Sequence, residues 1–169
     1  MKTNFKEFVS IKESVNNIPT PKELKNLQDE YEKEYFTLED IEKSFTPHML
    51  LLQDSNNKEE IQKFIDYCQE KGVYLYSNAF LHTKLYKLNE KPVKAKDVDI
   101  DYNEIDKLFE IWHKQRSILD NVEYRISSML DIILEIDDIT ELRKYIDSMS
   151  GVSYDNNRFF KKITKLMGI

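Results

Sequence analysis

Three clusters of residues have the types and spacing to do chemistry. In Phe80-Leu-His-Thr-Lys-Leu-Tyr-Lys-Leu-Asn89 a histidine and a lysine stand two residues apart, and Asn89 follows five residues after the lysine. Strand alternation would turn His82 and Lys84 to one face, with Leu81, Thr83 and Leu85 on the other. Glu110-Ile-Trp-His113 has the Glu-x-x-His spacing of helical di-iron carboxylate sites. Such a site needs a second copy and further glutamates, and the chain has no second copy. Asp99-Ile-Asp-Tyr-Asn103, with Glu110 at the twelfth position, imitates a calcium loop. Glu104 stands where that loop requires glycine, and a helix must begin inside it, so calcium binding is rejected. No metal or cofactor is expected.

The acidic residues form two series, Asp97, Asp99, Asp101, Glu104 and Asp106, then Glu135, Asp137, Asp138 and Glu141. One reading is solvated surface and helix-start charge. The other is a partner-binding surface that imitates nucleic-acid phosphate to a basic protein. A phosphate-cradling glycine loop, a glycine-flanked serine elbow and an aromatic-plus-basic sheet motif for RNA are all missing from the sequence.

Composition bounds what these residues can belong to. A chain of 169 residues with 40% apolar content, nine Phe and ten Tyr can bury a core. Three Gly and four Pro allow few tight turns, which argues against a many-stranded barrel or sandwich. The formal net charge of −6 disfavours general attraction to nucleic acid or anionic membrane, leaving only a local basic patch for direct nucleic-acid contact. The start, MKTNFKEFVSIKESV, lacks the apolar core of a secretory signal, and no apolar run approaches membrane-spanning length. A cytoplasmic location is therefore expected. The single Cys68 falls in line with Ile61, Phe64 and Ile65, as a buried structural thiol would.

Periodicity predicts a mainly α protein with a small α/β unit, an α+β fold in three regions. Residues 1–46 read as helices. Phe5, Phe8, Val9, Ile11 and Val15 form a loose stripe, Thr20-Pro21-Lys22-Glu23 is a capping box, and Thr37–Asp40 opens a short third helix ending before Thr46-Pro47. Residues 47–89 read as strand, helix, strand, strand. Met49–Leu52, Val73–Tyr76 and Phe80–Leu88 supply the strands of a short central sheet, and a helix from Asn57 to Lys71 is capped by Gly72. Residues 97–169 read as helical after the polar linker Lys91–Lys96. A helix over about 102–136 carries a heptad-like seam from Ile105 to Ile136, interrupted only by Gln115. Shorter helices follow around Leu142–Met149 and Arg158–Met167. The seam needs cover, either from helices of the same chain or from a homodimer along this helix.

The run from Met49 to Asn89 resembles one half-site of the phospholipase D-like superfamily, marked by an H-x-K-x-x-x-x-D motif. His82 and Lys84 match the motif's His and Lys, and the preceding strand, helix, Gly-Val and strand match its order. The resemblance implies a phosphodiesterase or nuclease in which His82 attacks phosphorus and Lys84 holds the phosphoryl oxygens. It also implies a homodimer, because two motifs meet at one site. Asn89 stands where the motif has Asp, and the family's downstream Gly-Ser segment is replaced by Lys91–Lys96.

Three functions are in view. The favoured one is a small, acidic, non-enzymatic protein that acts by protein–protein binding. Its composition suits a phage or mobile element, where inhibitors of host nucleic-acid machinery of the anti-CRISPR type occur. The others are the homodimeric phosphodiesterase and a structural or regulatory helical oligomer.

Overall fold

The computed structural model describes residues 18–75 and 78–168. The stripe from Phe5 to Val15 lies outside the described residues, as does Tyr76. The first helix, α1 (Pro21–Lys43), starts where its box predicts. The Thr20 amide donates to Glu23 Oε2 at 2.7 Å, and the Glu23 amide donates back to Thr20 Oγ1 at 3.2 Å. This backbone bond from Thr20, and its hydroxyl, hold the Glu23 carboxyl below its usual range. No break occurs at Thr37. The expected third helix is simply the end of α1.

The sheet is absent: among the described residues there is no strand. Met49–Leu52 lies inside α2 (Thr46–Ser55), and Pro47, expected to end a helix, instead starts one. Proline needs no amide bond in a first turn, and its fixed φ suits that position. Following α3 (Lys58–Glu70), which Asn57 caps by accepting from the Glu60 amide, the chain turns at Gly72. The φ of +66° there is left-handed, a region glycine enters without the steric cost that a Cβ brings. Val73–Leu75 is irregular, and Phe80–Leu88 lies within α4 (Asn78–Glu90). Leu81 and Leu88 are buried and Leu85 half-buried, so a stripe of steps four and three faces inward. That stripe overrides the alternation read as a strand. An α+β class is thus corrected to an all-helical arrangement of the described residues.

The long helix α5 (Tyr102–Ile133) is capped by Asp101, whose Oδ1 accepts from the Asn103 and Glu104 amides at 2.9 and 3.2 Å. Then come α6 (Ile139–Arg143), a 3₁₀ turn (Ile146–Met149) and α7 (Asn156–Met167). The chain divides into two compact units, Met1–Lys33 with Asp120–Ile169, and Glu34–Leu119. Both α1 and α5 contribute residues to each unit.

In the first unit Leu24 and Leu27 join Val122, Ile126, Leu130, Ile133, Leu142 and Phe159 in one buried cluster. The seam of α5 is covered there by the chain itself. Gln28, 2% exposed, sits in this apolar setting because its amide is matched at both ends: it donates to the Tyr154 carbonyl at 3.1 Å and accepts from the Tyr154 amide at 2.9 Å. In the second unit Phe45 stacks on Phe109, with ring centroids 5.5 Å apart, and Ile61, Phe64 and Leu81 are wholly buried. Gln115 is buried here and donates to the Glu34 carbonyl at 3.0 Å and to its carboxylate at 2.8 Å. Within this unit α4 packs on both α3 and α2.

Candidate functional site

At about 100° per residue, the two-residue step from His82 to Lys84 is about 200° on a helix. The pair that a strand would align therefore points to nearly opposite sides of α4. His82 is exposed and Lys84 half-buried. His82 instead shares its side of the helix with Tyr86 and Asn89, at steps of four and three. Asn89 lies with Leu85 on the edge of a shallow groove of about 690 Å³ between α3 and α4, whose other wall is Lys58, Gln62, Asp66 and Tyr67 of α3.

Tyr67 links that groove to a polar network. Its hydroxyl donates to Asp106 Oδ1 at 2.7 Å, and Lys71 Nζ reaches the same oxygen at 3.1 Å. The Tyr102 ring meets Tyr67 edge-on at 4.9 Å, and Lys63 Nζ lies 4.7 Å above the Tyr102 ring. The Tyr67 and Lys71 bonds hold the Asp106 carboxyl below its usual range. Burial pushes the Cys68 thiol up to about 12, so it stays a neutral thiol. Burial likewise pushes the Tyr102 phenol to about 12. Each of these shifts moves its group away from proton transfer near neutral pH, so the network fixes geometry. Sequence reasoning missed it because its members come from α3 and α5. The only local signals were Lys63, Tyr67 and Lys71, spaced by four along one face.

Structural duties absorb most of the acidic candidates. Asp101 caps α5, and Asp138 caps α6 by accepting from the Thr140 amide at 2.7 Å. Asp106 is held by Tyr67 and Lys71, Asp137 pairs with Lys162, and Glu141 with Lys144. Glu104 Oε2 lies 3.6 Å from His48 Nε2. Asp97, Asp99 and Glu135 are exposed. The first series belongs to the second unit and the later one to the first. His113 donates its Nε2–H to the Lys71 carbonyl at 2.9 Å, tying α5 to the end of α3, while Glu110 is exposed. Among the described residues no group of three or more His, Cys, Asp or Glu is placed to hold a metal ion.

In and around α4 the second unit exposes apolar and basic residues. The four most exposed large hydrophobic residues among those described are Tyr74 (73%), Tyr86 (64%), Phe80 (60%) and Val93 (57%), all within twenty residues of sequence. Phe80 also begins a second stripe on α4. With Lys84, Lys87 and Lys91 it follows steps of four, three and four, which keep all four within about 60° of arc. The helical turn reaches Lys91, whose amide donates to the Lys87 carbonyl at 2.9 Å. Lys87 and Lys91 are exposed, and none of the three lysines has a carboxylate partner among the described residues.

No family model, curated protein or solved structure matches the chain. Nor is any helix among the described residues long and apolar enough to cross a membrane.

Proposed function

We propose that this protein acts by binding another protein, through the outer face of α4 and the segments flanking it. The observation that carries this reading is the concentration of exposed aromatic and aliphatic surface at Tyr74, Phe80, Tyr86 and Val93. Water-facing aromatics cost solubility when left uncovered, and they are the anchors that protein interfaces favour. Exposed aromatics beside Lys84 and Lys87 on one side, and beside His82 on the other, have the composition of a small interface with a polar rim. The phosphodiesterase alternative gains no support from His82 and Lys84, which the helix separates. Phosphate imitation by the acidic series is supported by few residues, since only Asp97, Asp99 and Glu135 lack a structural duty or a neighbouring charge.

The test is affinity capture from the cells that carry the gene, comparing wild type with Phe80→Ser/Tyr86→Ser. Both positions are exposed, so the variant keeps its helical circular dichroism. Loss of a captured protein in the variant supports this surface. Undiminished capture would remove α4 from the interface.

A further inference from the structure

We infer that the partner presents an acidic segment to α4, with its carboxylates laid along Lys84, Lys87 and Lys91. This rests on the docking surface proposed above and specifies its chemistry. The chain is acidic overall, at −6, yet the nineteen residues Asn78–Lys96 hold five lysines and one acidic residue, Glu90. Three of those lysines occupy one helical stripe, and like charges at steps of three and four repel one another. In the first unit several cations are balanced within the fold, although among the described residues Lys22, Lys161 and Lys165 are not: Arg125 pairs with Glu30, Arg158 with Asp131 and Asp155, and Lys162 with Asp137. The α4 stripe has no such balance, so opposite charge must come from solvent ions or from a partner.

Phosphate backbone is the competing polyanion, and two observations weigh against it. Asp97 and Asp99 follow directly after Lys96 and stay exposed, placing repulsion at the end of the basic run. The chain's net charge also opposes the long-range field that draws nucleic acid in. A protein segment needs only local complementarity. It can lay apolar side chains on Phe80 and Tyr86 while its carboxylates meet the lysines. Two turns of a partner helix repeat side chains at the same steps of three and four, so a glutamate stripe matches the lysine stripe residue for residue.

The test uses fluorescence anisotropy with three labelled probes. These are a helical peptide with a glutamate stripe beside leucines, the same peptide with glutamine for glutamate, and an oligothymidylate. The proteins are wild type, Lys84→Glu/Lys87→Glu/Lys91→Glu, and a control with the same charge change in the first unit, Lys22→Glu/Lys161→Glu/Lys165→Glu. Wild type should bind the glutamate peptide at least about ten-fold tighter than the glutamine peptide, and added salt should weaken that binding. The stripe reversal should abolish the preference, and the control should keep it. Equal binding of the two peptides, no binding of the glutamate peptide, or equal loss in the control overturns the inference. Preference for oligothymidylate overturns it in favour of nucleic acid. Should native capture be lost with Phe80→Ser/Tyr86→Ser but survive the stripe reversal, the docking face stands and the acidic partner fails. If capture survives both variants, the docking face itself fails.

Discussion

The two units treat similar side chains in different ways. In the first, polar groups near the core are matched internally: Gln28 to Tyr154, the Tyr145 hydroxyl to the Pro19 carbonyl at 2.7 Å, the Ser148 hydroxyl to the Pro21 carbonyl at 2.8 Å. Arg125 and Arg158 are paired with carboxylates as well, and Arg143 sits in the last turn of α6, where a cation favours the helix dipole. In the second unit two of the three most exposed aromatics, Phe80 and Tyr86, share one helix with a stripe of unmatched lysines, and the Tyr102 hydroxyl is buried without a partner. A fold that needs α4 only for Leu81, Leu85 and Leu88 leaves its other side free to be shaped by something else. That contrast is why the second unit carries the proposed surface.

The sharpest way to break the comparison is to shorten one aromatic in each unit. Phe159 is wholly buried in the first unit's cluster, so Phe159→Ala should cost about 3–5 kcal/mol of stability in urea unfolding, from lost transfer energy and the cavity left behind. Phe80→Ala should change stability by no more than about 0.5 kcal/mol, as exposed substitutions do. A large loss at Phe80 would mean that α4's outer face is structural, and the contrast between the units would collapse.

A smaller effect tests the internal matching of the first unit. Gln28→Leu fills similar space but withdraws the donor to the Tyr154 carbonyl and the acceptor from its amide. The expected loss is about 1–3 kcal/mol, the cost of buried polar groups losing their bonds. Gain of stability on this substitution would show that the amide is there for something other than holding Tyr154.

Much of the helical framework was legible. The Thr20 box, the Asn57–Lys71 helix with its Gly72 turn, the Asp101 cap and the long helix that starts at 102, expected to run to about 136 and ending at Ile133, all announce themselves through local chemistry, which acts over four residues. What failed were segments whose local signals conflict. Met49–Leu52 is four apolar residues, too short for its period to decide between strand and buried helix. Phe80–Leu88 carries an alternating pattern and a four-three pattern together, and only packing against α2 and α3 selects the second. The error spread to the site, because His82 and Lys84 form a pair only on a strand. The lysine stripe, by contrast, needs no tertiary knowledge once α4 is taken as helix. The Tyr67–Asp106 bond joins residues 39 apart in sequence, a meeting that no local rule foretells.

The smallest expected effect concerns alkali and the second unit's buried acids. Burial raises the Cys68 thiol from 9.0 to about 12 and the Tyr102 phenol from 10.0 to about 12, so the folded state holds both protons after the unfolded chain has released them. The stability that goes with these raised values is fully present below pH 9 and is lost as pH rises from there toward 12. One pH unit above its ordinary value, the thiol alone should lower stability by about 1.4 kcal/mol relative to neutral pH. Cys68→Ala removes that titration but also leaves a small cavity, so its stability at a single pH is ambiguous. The difference between pH 7 and pH 10 is not, because the cavity cost is the same at both and cancels. Urea unfolding at the two pH values should therefore show a smaller drop for Cys68→Ala than for wild type. An unchanged drop would mean that the thiol ionises as readily in the fold as outside it, and that the interior of the second unit admits water where the first unit's does not.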